Sequence, residues 1–185
     1  MGGKIQIMVT PNPRAYKFLV PIDLTEKGIS FTLRIGESSK SPLFNSLSEL
    51  NIFERIWAQE IVLTLTLKSG LEWNDEIQEK VLKILMDYLP HHQINQLVKE
   101  DIKVPLTGEL KIIDAILDKH IRPSLLRDGG DIICLEYVDP YVFLQYQGAC
   151  VSCPASFAGT LQAIQTLLSQ EYKDHVIVKI KQADI

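Results

Sequence analysis

The stretch Asp128-Gly129-Gly130-Asp131 decides how the second half of this chain is read. Paired glycines mark a helix exit, because glycine enters the left-handed backbone region that closes a helix without a Cβ clash. Upstream, Leu110, Ile113, Leu117 and Ile121 recur at spacings of 3, 4 and 4 and form one apolar face of a helix starting near Glu109. Pro123 is expected to kink or end that helix. Downstream, Ile132 to Val138 and Tyr141 to Gln147 read as strands separated only by Asp139-Pro140, which predicts a hairpin. A loop from Gly148 to Cys153 follows, then a helix with Phe157, Leu161, Ile164 and Leu168 on one face. Val176 to Ile180 makes a last strand. The order is α-β-β-α-β.

Working back toward the N-terminus, His91 to Gly108 reads as a connector. It holds His91-His92, the mixed charges Lys99, Glu100, Asp101 and Lys103, and the breakers Pro105 and Gly108. A short helical turn is expected near Ile94 to Val98, and the histidine pair is expected to be exposed. Residues 1–90 carry strand patterns at Ile5 to Val9, Tyr16 to Val20, Phe31 to Ile35 and Ile61 to Leu67. Thr10-Pro11-Asn12-Pro13 breaks the first of these. Ser41-Pro42 predicts a helix entry with proline in the first turn, running to about Leu50. Asn74 caps another helix, with Ile77, Val81, Leu85 and Tyr88 at helical spacing, which Pro90 stops. The fold class is α/β (α+β), with two small domains at 1–90 and 109–185 and a linker at 91–108. Trp57 and Trp73 are expected in or at the edge of the first core.

Composition narrows the function. The 185 residues are 46% hydrophobic and 23% charged, which suits folded domains and excludes a wholly disordered chain. No apolar run approaches the roughly 18 residues of a membrane span. Net charge is -4, and residues 109–185 hold 7 basic against 10 acidic side chains, which disfavours nucleic acid. The cysteines number three: Cys134, Cys150 and Cys153. An odd, sparse set does not make a disulfide scaffold. The N-terminal residues resemble neither a secretory leader nor a transit peptide, so the expected setting is cytoplasmic, or an organelle matrix if the sequence is a processed form.

The chemistry concentrates in Gly148-Ala149-Cys150-Val151-Ser152-Cys153-Pro154. Two thiols separated by two residues can face one small centre. With Pro154 at the first helical position, Cys153 would cap a helix, and the unpaired N–H groups of Ala155, Ser156 and Phe157 would favour thiolates. Four readings fit. The cysteines can be small buried hydrophobes. They can form a thiol–disulfide redox pair, although the motif follows a hairpin rather than the βαβ unit of thioredoxin-type folds. They can belong to a zinc site, or to an iron–sulfur cluster, and either wants four ligands. One chain supplies two. Two chains, each giving Cys150 and Cys153, supply four, and spacing alone does not choose the metal. Cys134, in a strand, reads as a packing residue, and the four histidines lack ligand spacing.

Residues 109–180 resemble the C-terminal domain of NifU. The matching elements are Ile121-Arg122-Pro123, Asp128-Gly129-Gly130-Asp131-Ile132 and Gly148-Ala149-Cys150-Val151-Ser152-Cys153-Pro154-Ala155-Ser156. The first half resembles the Nfu N-terminal domain through Thr10-Pro11-Asn12-Pro13, Lys17-Phe18-Leu19 and Ser41-Pro42-Leu43, and diverges between Val20 and Ser41. The resemblance implies a non-enzymatic carrier or scaffold for a 4Fe–4S cluster, with 2Fe–2S as the other option. It implies Cys150 and Cys153 as ligands, a homodimer when loaded, and apo iron–sulfur proteins and cluster-assembly factors as partners. No nucleic-acid or membrane partner is implied. The redox protein and the structural zinc-bridged dimer are the alternatives. The Asp128–Asp131 turn is expected to terminate a helix and to hold no cluster ligand.

Overall fold

The structure is a computed structural model, and it describes residues 4–97, 106, 108–153 and 159–181. The chain divides into two compact units, Met1–Ile102 and Lys103–Ile185.

The first unit is a five-stranded antiparallel sheet with two helices. Its elements are β1 (Gln6–Val9), β2 (Ala15–Leu19), β3 (Ser30–Arg34), α1 (Pro42–Glu49), β4 (Phe53–Gln59), β5 (Val62–Leu67) and α2 (Asp75–Tyr88). The strand order is β1-β2-β5-β4-β3. The turn at residues 10–13 is built by side chains. Thr10 Oγ1 donates to the Ala15 carbonyl at 2.8 Å, and Asn12 Oδ1 accepts from the Arg14 N–H at 3.1 Å. Register then places Phe18 opposite Leu63, Ala58 opposite Leu63, and Leu33 opposite Ile56, so one face becomes apolar across the sheet. Leu43, Phe44 and Leu47 of α1 and Val81 and Leu85 of α2 join these residues in one core.

Both helix entries follow the sequence reading. Pro42 stands in the first turn after Ser41, and Asn74 Oδ1 accepts from the Ile77 N–H at 2.9 Å. Ser41 caps by backbone position alone: its side chain makes no cap hydrogen bond. The strand at Phe53–Gln59 is absent from the sequence reading. Ile56, Trp57, Ala58 and Gln59 are all buried, so this strand lacks the two-residue alternation that betrays a half-exposed one. Trp57 lies in the interior, whereas Trp73 is half-buried, stacks on Tyr16 at 4.5 Å and donates to the Arg14 carbonyl at 2.8 Å.

The histidine pair is not jointly exposed. His91 faces solvent, but His92 places Nε2 at 2.9 Å from the Leu24 carbonyl oxygen and its ring edge on Phe44. Three-ten turns at Leu89–His91 and Ile94–Gln96 carry the chain past it. The expected mixed-charge stretch at 99–103, with Val98, Pro105 and Thr107, lies outside the described residues.

The second unit holds α3 (Gly108–His120), α4 (Arg122–Arg127), β6 (Gly130–Val138), β7 (Tyr141–Gly148), α5 (Leu161–Glu171) and β8 (Ile177–Ile180). Pro123 acts as expected: α3 ends at His120 and α4 begins with Pro123 in its first turn, where a missing N–H breaks no helical bond. Asp128 closes α4, and Gly129 has φ 81°. β6 and β7 form the hairpin, with one residue inserted near Leu135, and β8 joins β7 in parallel after the α5 crossover. Ile113 and Leu117 of α3 and Ile164 and Leu168 of α5 pack with Ile132, Val142 and Leu144.

Candidate functional site

The hairpin end nearest α4 builds the site. Gly130, the first residue of β6, pairs with Gly148, the last of β7. Gly148 has φ 58° and ψ -137°, a backbone that side chains rarely allow. The reversal is fastened where the Ala149 N–H donates to the Gly129 carbonyl at 3.0 Å. Ala149–Ser152 then form a three-ten turn, and Cys153 leaves it in extended conformation with φ -84° and ψ 121°.

That turn carries Cys150 onto the backbone of Gly130. A Cβ at position 130 would stand 2.5 Å from Cys150 Sγ and 2.6 Å from the Gln147 carbonyl oxygen. The glycine is therefore a steric requirement of the thiol's position. Cys150 and Cys153 are each 3% exposed, and both are free thiols. Beside them, burial first and the charge available to Cys150 second push the Tyr146 hydroxyl up to about 12. The expected helix cap at Pro154, with the N–H groups of Ala155, Ser156 and Phe157, lies outside the described residues.

An ion cluster around a buried arginine supports the same end of the hairpin. The Arg122 side chain is 5% exposed, its Nε donates to the Ile132 carbonyl at 3.0 Å, and it lies 3.3 Å from Asp131 Oδ1. Its two terminal nitrogens pair with Asp114 and Asp118. Burial alone would lower the guanidinium pKa, but the carboxylates of Asp114, Asp131 and Asp118 outweigh it and hold the charge above the ordinary arginine value. Arg122 thus ties α3 and α4 to the strand that begins at Gly130. The acids at 114 and 118 stand four residues apart, with Arg122 four further on, a helical pairing pattern visible in sequence. Asp131 joins only through the fold.

Cys134 stands apart. It is buried opposite Leu144, and burial first, with Asp114 next, pushes its thiol up. Four residues of strand, roughly 13 Å, separate it from Gly130, too far to share a centre with Cys150. His120 and His175 pair with Glu171 and Asp139 rather than with a thiol. Among the described residues no group of three or more His, Cys, Asp or Glu side chains is placed to hold a metal ion. No described helix is long and apolar enough to cross a membrane. The three-ten turn holds Cys150, and Cys153 follows it directly, so two free thiols stand within one short loop.

Comparison with known proteins agrees with the architecture. Residues 5–92 match the family "Scaffold protein Nfu/NifU N terminal", and residues 113–179 match the "NifU-like domain". The proteins named "NFU1 iron-sulfur cluster scaffold homolog, mitochondrial" from Drosophila sechellia and Drosophila simulans are each 30% identical over 176 residues. The protein of the same name from Drosophila erecta is 29% identical over 170 residues. These matches cover 89% of this chain and 60% of each relative, so the chain spans about three-fifths of their length. With one domain of each kind in this order, the chain belongs to the Nfu/NifU family.

Proposed function

We propose that this protein is a non-enzymatic carrier or scaffold for an iron–sulfur cluster, held as cargo by Cys150 and Cys153. The observation that carries the reading is a pair of free, buried thiols three positions apart, Cys150 on the three-ten turn over Gly130 and Cys153 directly after that turn, with Cys134 too distant to add a third. A cluster held by four thiolates then takes two from each of two chains, so the loaded form is a homodimer. A 4Fe–4S cluster is the cargo assigned, and 2Fe–2S has the same ligand count. Release proceeds by ligand exchange. An acceptor thiolate binds an iron, a carrier thiolate leaves it, and the charge of the cluster is unchanged.

Residues 109–185 form the cluster-binding domain in this reading. Residues 1–90 dock apo iron–sulfur acceptors or cluster-assembly factors, and residues 91–108 link the two. The relatives' mitochondrial names favour an organelle matrix over the cytoplasm. Nucleic acid and membranes are not among the partners.

The test is anaerobic loading with iron and sulfide, then incubation with an apo 4Fe–4S protein and a chelator. The carrier reading expects brown protein and acceptor activation that survives the chelator. Colourless protein that retains zinc supports a structural zinc dimer instead. A reversible Cys150–Cys153 disulfide without iron uptake supports the redox reading.

A further inference from the structure

In the first sheet, Leu63, Leu65 and Leu67 of β5 and Ile56 and Ala58 of β4 point into the core with α1 and α2. Strand alternation sends Thr66 and Arg55 to the opposite face. Register sets them in one row with an arginine of β3: Thr66 pairs with Arg55, and Arg55 pairs with Arg34. The Ile35 N–H donates to the Glu54 carbonyl at 3.1 Å, which leaves Arg34 and Arg55 as a non-hydrogen-bonded pair. Such pairs stand closest, with about 4.5 Å between Cα atoms. Like charges set directly opposite destabilise a sheet, so this pair works against the fold that holds it.

The neighbouring carboxylates do not relieve it. Glu54 is taken by Arg14 at 2.6 Å. Glu37 accepts the Arg34 backbone N–H at 2.6 Å and comes only within 3.6 Å of Arg34 Nη1. Arg34 Nε is buried without a hydrogen-bond partner, and so is Thr66 Oγ1 in the same row. Among the described residues Arg55 makes no hydrogen bond or ion pair, and burial first, then Arg34, lowers its pKa. Three guanidiniums against two carboxylates leave one positive charge uncompensated. Buried polar groups ordinarily find partners, and the planar guanidinium fork matches an oxyanion.

We propose that Arg34 and Arg55 form a site for a carboxylate, presented by an Asp or Glu side chain of a polypeptide that docks on residues 1–90. One carboxylate matches the one uncompensated charge. A phosphate dianion exceeds it and meets Glu37 and Glu54 as like-charged neighbours. Glu37 itself shows that a carboxylate can approach Arg34. A polypeptide is the source because β3 is the edge strand of the sheet, so a chain can pass alongside it and bring its side chain over both guanidiniums. The inference rests on the reading that residues 1–90 dock partners, and it names the chemistry those partners present.

The experiment follows the arginine Nε–H signals of the full, nitrogen-15-labelled chain by NMR at constant ionic strength. The probes are a capped peptide of alternating glycine and glutamate, its glutamine counterpart, acetate and inorganic phosphate. The glutamate peptide is expected to move the Arg34 and Arg55 signals, and the glutamine peptide is not. Arg34→Gln and Arg55→Gln are expected to weaken glutamate-peptide binding roughly tenfold or more, while Lys80→Gln leaves it unchanged. Both arginine variants should keep or raise the urea midpoint, because each removes a like-charge pair. A lowered midpoint in both would assign the arginines to the fold and overturn the site. Equal binding of the two peptides, or tighter binding of phosphate, would overturn the carboxylate. Acetate binding as tightly as the glutamate peptide would overturn the polypeptide source. No iron enters the experiment, so failure of the site leaves the cluster-carrier reading standing, and a chain that takes up no cluster leaves the site standing.

Discussion

The β6–β7 hairpin has two ends with opposite physics. At one, Gly130 faces Gly148, a thiol fills the space of a missing side chain, and the buried Arg122 pairs with the buried Asp131 as well as with Asp114 and the exposed Asp118. At the other, the turn at Asp139 gathers exposed charge. Lys173 pairs with Glu109 at 2.6 Å, and His175 Nε2 lies 3.2 Å from Asp139 Oδ1, with both members of the latter pair more than half exposed. The same ladder thus joins a tightly packed end with a buried guanidinium to a solvated one. Ion pairs in water contribute little, whereas a buried charge stripped of its partner costs several kcal/mol. Sensitivity to substitution should therefore fall steeply from one end of the hairpin to the other.

The largest expected effect is at Arg122. Arg122→Ala leaves the Asp131 side chain, 2% exposed, without its guanidinium, and should cost about 3–5 kcal/mol in urea unfolding. A loss no greater than that of a surface substitution would show that the cluster is solvated and that the contrast between the ends is false.

Gly130→Ala should follow. Its Cβ meets both Cys150 Sγ and the Gln147 carbonyl, and overpacking of this kind costs about 1–3 kcal/mol. Gly159→Ala is the control. Its Cβ meets nothing within 4 Å, so stability should hold or rise by up to about 1 kcal/mol. Equal unfolding midpoints for the two alanine variants would remove the steric argument for Gly130.

Cys134→Ala should cost about 1 kcal/mol and leave iron uptake unchanged. Before unfolding, Cys134 should resist alkylation, since burial pushes its thiol up. Mass spectrometry of alkylated protein reads both points.

The smallest effect belongs to the turn. Hydrogen bonds to Asp139 and then Asp174 raise the His175 pKa above the ordinary histidine value. The sign follows from linkage. The stabilisation is full below the unfolded pKa and is lost as pH rises through the raised folded one. An NMR titration should find the raised value, and Asp139→Asn or high salt should lower it.

Much of this contrast is legible in the residues. The Asp128–Asp131 helix exit, the hairpin, the Asn74 cap and the proline in the first turn of α4 are local signals, and local signals survive without tertiary information. Strand β4 is not legible, because Ile56 to Gln59 are buried without alternation. The spacing of Cys150 and Cys153 is plain, but that Gly130 makes room for one of them depends on a pairing 18 positions away in sequence, Gly130 with Gly148. His92 reads as part of a connector until the fold supplies the Leu24 carbonyl and Phe44. In each of these cases the missing information is a long-range contact.

The central claim is that two thiols of one short loop are half of a shared cluster site. The most direct measurement is iron and sulfide content per chain, with particle mass, after anaerobic reconstitution of wild type, C150S, C153S and C134A. The account predicts close to one four-iron cluster per two chains in wild type and C134A, and none retained by C150S or C153S. A normal cluster in either of those serine variants, or a cluster lost in C134A while its fold is kept, would contradict it.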